Sequence, residues 1–210
     1  MPRLSRAESQ ARTREQLVAT AKELFLRDGY GPTSLERVAD AAGYSKGAVY
    51  SNFRNKNELC LAVLDAIHAE QTARIVEVIS GTRTLEERLT KFEEWAERHI
   101  GDQAWTALEV EFAVNARRDE RLCAELASRD KVIRDLIASL VTANGEELGI
   151  EVPMPAGDIA TALLSLGIGL GIQRAIDPTI SASVLTDVIR LVVGQRSATG
   201  STTGSTTTPT

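Results

Sequence analysis

The chain has 210 residues, 43% of them hydrophobic but only 4% aromatic; with Ala and Leu plentiful, it can bury a substantial core and leans towards helix. Its net charge of −5 argues against a nucleic-acid partner only if taken whole. The first 60 residues hold ten Lys and Arg against seven Asp and Glu, and the remainder fourteen against twenty-two, so any polyanion contact belongs to the basic first part.

Taken in chain order, the pattern is helical throughout, with no sustained period-two alternation and no internal repeat. Leu17, Val18, Ala21, Leu24 and Phe25 make one apolar face of a first long helix, which Gly29 is expected to end as a left-handed cap. Thr33-Ser34-Leu35-Glu36 reads as a capping box with Thr33 as N-cap. Leu35, Val38, Ala39 and Ala42 are the inner face of a short helix that stops at Gly43. Ser45 caps a third helix through about Ser51, and residues 55–58 open a fourth, with Leu59, Val63, Leu64, Ile67, Ile75, Val78 and Ile79 inward.

Gly81 breaks that run, and Thr84 with Glu87 forms a second capping box. It opens a helix bearing Leu85, Leu89, Phe92, Trp95 and Ala96. A short helix around Trp105, Leu108 and Phe112 follows, then a long one over about residues 119–147 with Leu122, Leu126, Ile133, Leu136, Ile137 and Leu140 inward. Two last helices are expected over residues 157–176 and 181–194. The tail, residues 197–210, is almost all Ser, Thr and Gly and is expected to be disordered. The fold class is therefore all-α. Residues 1–55 are expected as a three-helix domain with a helix-turn-helix, and residues 56–196 as a second helical domain.

Residues 35–56 carry the function. Two short helices joined by Ala42-Gly43-Tyr44 have helix-turn-helix spacing. Small Ala39 and Ala42 let them cross closely, and Gly43 supplies backbone geometry that a side chain would obstruct. With Val49 and Phe53 inward, Ser45, Lys46, Gly47 and Tyr50 face outward at the start of the third helix, a small polar surface suited to a major groove.

The pieces Ala-x-x-Leu-Phe-x-x-x-Gly-Tyr, Ala-Gly-x-Ser-Lys-Gly and Tyr-x-x-Phe-x-x-Lys stand in order over about residues 10–60. There the chain resembles the TetR family of repressors, departing at Asn52, where His is frequent, and at Ser51, where Tyr is common. The resemblance implies an all-helical homodimer that binds double-stranded operator DNA and answers a small-molecule effector. It assigns DNA contacts to Thr33, Ser34, Ser45, Lys46, Gly47, Tyr50, Asn52 and Lys56: phosphate contacts to Thr33 and Lys56, backbone contacts to Tyr50 and Asn52, and proximity to base edges for Lys46 and Gly47. Capping alone also accounts for Ser45, and Tyr50 also reads as a wedge between helices. Arg3 and Arg6 are expected on a mobile arm that reaches DNA or stays solvated.

For the effector pocket the candidates are Phe92, Trp95, His99, Trp105, Glu109 and Phe112, aromatics with a few polar groups. An aromatic stripe at helical spacing equally reads as core. Glu109 is expected to face a ligand or to pair with an arginine such as Arg117. The dimer interface is expected on the last two helices through Leu163, Gly167, Leu170, Gly171, Leu185, Val188, Ile189 and Val192, giving a four-helix bundle. Three glycines in five residues there, each costing a helix about 1 kcal/mol relative to alanine, call for close packing.

Residues 1–14 are polar and basic and lack the apolar centre of a signal peptide. Residues 159–172 fall short of the roughly 20 that span a bilayer, so a cytoplasmic protein with no membrane partner is expected. Cys60 lies on an apolar stripe and Cys123 beside one, and both are expected as buried thiols. His68 and His99 have no partners at metal-ligand spacing, and no cofactor is expected. There is no phosphate loop, nucleophile elbow or triad-like set, so an enzyme is not expected. A ligand-released repressor is the main reading. An activator using the same DNA-binding domain, or a helical dimeric adaptor without DNA binding, stays open.

Overall fold

A computed structural model of the chain describes residues 5–152 and 154–199, without the side chain of Val192 or those from residue 194 onward. Every element among the described residues is helical: α1 (Arg6–Asp28), α2 (Leu35–Ala42), α3 (Lys46–Asn52), α4 (Lys56–Ile79), α5 (Leu85–His99), α6 (Gln103–Ala116), α7 (Glu120–Leu148), α8 (Ala156–Ile176) and α9 (Ser183–Thr199).

Most of the helix starts are fixed by side-chain caps. Ser5 and Glu8 form a capping box at α1, which puts Arg6 in the first turn of a helix rather than on the expected arm; Arg3 lies outside the described residues. The N-cap of α2 is Ser34, not Thr33: its Oγ accepts from the Arg37 N–H at 3.2 Å. Thr84 and Glu87 close their box as expected, while Asp102 caps α6 and Asp119 accepts from the Leu122 N–H at the head of α7. Each such cap satisfies N–H groups that a helix start leaves open, and contributes about 1 kcal/mol.

The chain forms two compact units. The first takes residues up to Glu77 together with Gly101–Arg129. Its core joins Leu17 and Phe25 of α1, Val38 of α2, Val49 of α3, Phe53, and Leu59 and Val63 of α4 to Leu108 and Phe112 of α6 and Leu122 of α7. The helix-turn-helix therefore shares one core with α6, although α6 follows it by some fifty residues. Phe112 is fully buried and meets Tyr30 edge-on at 5.3 Å, a core position.

The second unit takes Val78–Ile100 and residues from Asp130 onward. Leu89, Trp95 and Ala96 of α5 are buried there, as are Ala160 and Leu170 of α8 and Leu185 of α9. Two arginines tie it together. Arg88 is buried and donates to Thr82, Asn144 and Glu147. Arg174, 8% exposed, donates to the carbonyls of Ile100, Glu97 and Ile180 and pairs with the Glu97 carboxylate at 2.9 Å. A guanidinium with this many acceptors bears its loss of water.

Some expectations shift. α9 starts two residues late and runs to Thr199, so three tail residues are helical; residues 200–210 lie outside the described residues. Gly29 has a positive φ of 85° but a ψ of 170°, outside the left-handed helical region expected of it. Cys123 is exposed, not buried. Leu136, expected inward, is 37% exposed. With 21 residues, α8 is long and apolar enough to cross a membrane, which residues 159–172 alone are not. It also carries the buried Arg174, whose hydrogen bond to the Glu97 carbonyl fixes it to α5 within the unit.

Candidate nucleic-acid interface

The turn between α2 and α3 is set by Gly43, in the left-handed conformation (φ 72°, ψ 24°). That region costs a residue with a Cβ about 1–2 kcal/mol. The Tyr44 N–H returns to the Ala39 carbonyl at 2.9 Å and closes the helix end. α3 then starts at Ser45, whose Oγ accepts from the Ala48 N–H at 3.2 Å. Val49 and Phe53 are buried beneath it. α1 holds its far end: the Arg14 guanidinium lies 4.1 Å above the Phe53 ring and donates to the Asn52 carbonyl at 2.8 Å. Tyr44 donates to Gln16 of the same helix.

The face left outward is the expected one. Ser45, Lys46, Gly47 and Tyr50 are all exposed. A Cβ on Gly47 would meet only Ser45 Oγ, at 3.9 Å, so packing within the chain does not call for glycine there. Tyr50 is 50% exposed and donates to Glu36 Oε1 at 2.7 Å. Glu36 therefore serves α3 rather than the capping box expected of it. The Tyr50 bond, followed by backbone and Ser34 hydrogen bonds, holds its carboxyl below the usual carboxylate range.

Three expected contact residues are engaged inside the protein. Thr33 is 1% exposed and donates to the Gly29 carbonyl at 2.9 Å, so its hydroxyl proton fastens the α1–α2 loop from within; the geometry does not support a phosphate contact from that side chain. Asn52 donates back to the Ala48 carbonyl at 2.8 Å. Lys56 donates to the carbonyls of Tyr30 and Gly31 at 3.0 and 3.1 Å and sits 4.1 Å above the Tyr30 ring. Burial lowers its pKa. Of its three N–H groups, two serve the loop. Ser34 is half-buried and capped against Arg37.

The six candidate effector residues divide three and three. In the second unit Phe92, Trp95 and His99 stack along α5, with ring centroids 5.6 and 5.2 Å apart. In the first, Glu109 pairs with His68 at 2.6 Å rather than with an arginine, and Trp105 packs edge-on to His68. Phe112 is core, as described. Trp105 Nε1, Gln71 Oε1 and Trp95 Nε1 are buried without a hydrogen-bond partner. Sequence reading missed His68 and Glu36, whose partners are too distant in the chain for a local pattern to show, and Gln71, which only burial singles out.

The interface residues also separate. Leu170, Gly171 and Leu185 are buried within the unit, and Leu163, Gly167 and Ile189 partly so. The Val192 side chain lies outside the described residues. The exposed apolar set is Ile168, Ile172 and Ile176 on α8 with Val184, Val188 and Leu191 on α9; Val188 belongs to the expected interface set, and Ile168 and Ile172 lie on the apolar surface that suggested it.

An outward polar α3 locked onto α2 across a glycine turn, and braced by α1, defines a helix-turn-helix DNA-binding domain. Residues 17–63 match the sequence model of the bacterial regulatory proteins of the tetR family, so the N-terminal domain is of the tetR type. The chain is 40% identical over 68 residues, 32% of each chain, to the HTH-type transcriptional regulator TtgR of Pseudomonas putida. It is 23% identical over 143 residues to the HTH-type transcriptional repressor AcnR of Corynebacterium efficiens, 68% of this chain and 71% of that one. The match thus spans about a third of TtgR. In structure it resembles E. coli NemR in its reduced form, with a TM-score of 0.65 and 19% identity over 87% of this chain and 98% of that one; this likeness extends the fold beyond the N-terminal domain.

Proposed function

We propose that the chain is a homodimeric transcriptional repressor that binds a palindromic operator through α3 and is released by a small, mostly apolar effector. Residues 1–55 are the DNA-binding part and residues 56–196 the sensing and dimerising part. The observation that carries the reading is the exposed set Ser45, Lys46, Gly47 and Tyr50 on a helix whose other face is locked by Val49 and Phe53. The cytoplasm is its place of work.

Two further observations support the rest. Six exposed aliphatic side chains at helical spacing on α8 and α9 suit a matching face of a second copy. Twofold symmetry then sets the half-sites about one helical turn, or a multiple, apart. The effector reading draws on the buried, unpartnered polar atoms of Trp105 and Gln71 beside the His68–Glu109 pair, since a ligand can complete hydrogen bonds the protein leaves open. α6, which carries Trp105 and Glu109, also holds the α1–α2 loop, and α4 carries His68 and Gln71. Both helices would pass a change of effector state to the helix-turn-helix, with ligand and operator opposing each other by linkage.

Fluorescence anisotropy with duplexes from the region upstream of the chain's own gene tests the proposal. The native protein should bind one such duplex in a salt-dependent way, and the variant with Lys46→Ala and Tyr50→Ala should lose that preference. Equal binding by the double variant would overturn it.

A further inference from the structure

If α3 faces duplex DNA, as just proposed, the way Tyr50 is held dictates what it can read there. A phenol has one proton to give and lone pairs with which to accept. That proton is committed to Glu36 Oε1 at 2.7 Å, while half of the Tyr50 side chain stays open to solvent. The acceptor is a carboxylate in the first turn of α2, a position where negative charge is favoured. A bond to an ionised acceptor is stronger than one to a neutral oxygen. The hydroxyl is thus turned inward by its hydrogen and outward by its lone pairs.

Phosphate oxygens are acceptors only and cannot use those lone pairs. A phosphate brought to this hydroxyl would also stand beside the Glu36 charge. In the major groove the fitting groups are donors: the N6 amino of adenine and the N4 amino of cytosine. We propose that Glu36 makes Tyr50 an acceptor that reads a base amino group, adenine or cytosine, in place of the phosphate contact that its position in the motif suggests. Glu36 acts as a positioning residue through Tyr50. The nearby charge that favours its ionised state is Lys46, also on the exposed face.

The test is enrichment from a randomised duplex library by the full-length native chain and by the Y50F, E36A and E36Q variants, followed by anisotropy on the enriched and a scrambled duplex across a salt series. Glu36 and Tyr50 are not core residues, and thermal melting of each variant confirms folding. The native chain should enrich adenine or cytosine at one position of each half-site. Tyr50→Phe should lose about tenfold in discrimination there, with scrambled-duplex affinity and the slope against log salt unchanged. Glu36→Gln, which still offers an acceptor oxygen, should keep the base preference, and Glu36→Ala should lose it. If Tyr50→Phe enriches the same bases but binds both duplexes more weakly by the same factor, Tyr50 is a phosphate contact and the proposal is overturned. It is equally overturned if Glu36→Ala leaves the preference intact. A native chain that enriches nothing would instead overturn the DNA-binding reading itself, and this inference with it.

Discussion

Glu111 of α6 accepts the backbone N–H of Tyr30 at 2.8 Å, across 81 positions of sequence. The same carboxylate lies over Gly29, where an added Cβ would come within 3.3 Å of Oε2. One side chain thus fixes the loop that sets the angle between α1 and α2, and the positive φ of Gly29 makes room for it. Tyr30 is held from the other side by Lys56 and by its bond to Asn57, so the loop is clamped by α4 and α6 together.

Glu111→Ala should therefore leave a half-buried N–H without a partner and destabilise the chain by about 1–2 kcal/mol. Thermal melting should show this as a loss of a few degrees, at about 2–4 °C per kcal/mol for a chain of this size. Glu111→Gln keeps an acceptor oxygen and should recover most of the loss. If both variants melt like the native chain, the clamp contributes nothing.

Arg174 should matter more than its single charge suggests. Replacing it with methionine strands the carbonyls of Ile100, Glu97 and Ile180 at the junction of α5, α8 and α9. Buried acceptors left unmade cost about 1–3 kcal/mol each before relaxation, whereas Glu97 is exposed enough to regain water. Urea unfolding should give a midpoint well below the native one, and an unchanged midpoint would refute the assignment.

These contacts mark where the sequence was readable. The Thr84–Glu87 box, the Gly43 turn and the inner faces of α1 to α4 repeat at local spacings, and all stand where expected. The N-cap at Ser34 instead of Thr33 is a one-residue error between two hydroxyls, decided by the loop that buries Thr33. Glu109 has its partner on another helix, and no pattern in the chain singles out His68 over Arg117. Cys123 sits beside an apolar stripe, and only the packing of α7 decides that it faces water. The outward positions of α3 were legible because a short motif spells them out; what holds Tyr50 was not, because Glu36 also fits a capping box.

Acid should weaken the first unit through Asp28. Its carboxyl accepts from Arg27 and Arg37, and the Arg27 bond above all lowers its pKa from 3.8 to about 2. A carboxyl whose pKa is depressed on folding contributes stability above its unfolded value, lost as pH falls through the folded one. The native chain should therefore lose stability between about pH 3.8 and about 2, and Asp28→Asn should flatten that part of the profile. Denaturant titrations at several pH values would show it; identical slopes for the two proteins would exclude the role.

The two thiols should differ sharply in reactivity, because the thiolate is the reacting form. Burial among apolar side chains pushes Cys60 up to about 12 and closes it to reagents. Cys123 is exposed, with its sulfur 3.2 Å from the Ala116 carbonyl. Native protein treated with a thiol reagent such as DTNB should release one equivalent per chain, and Cys123→Ser should release none until denaturant is added. A second equivalent from the native chain at neutral pH would mean that the core around Leu59, Cys60 and Phe112 opens readily. Since that core joins the helix-turn-helix to α6, such opening would also loosen the packing that holds the helix-turn-helix.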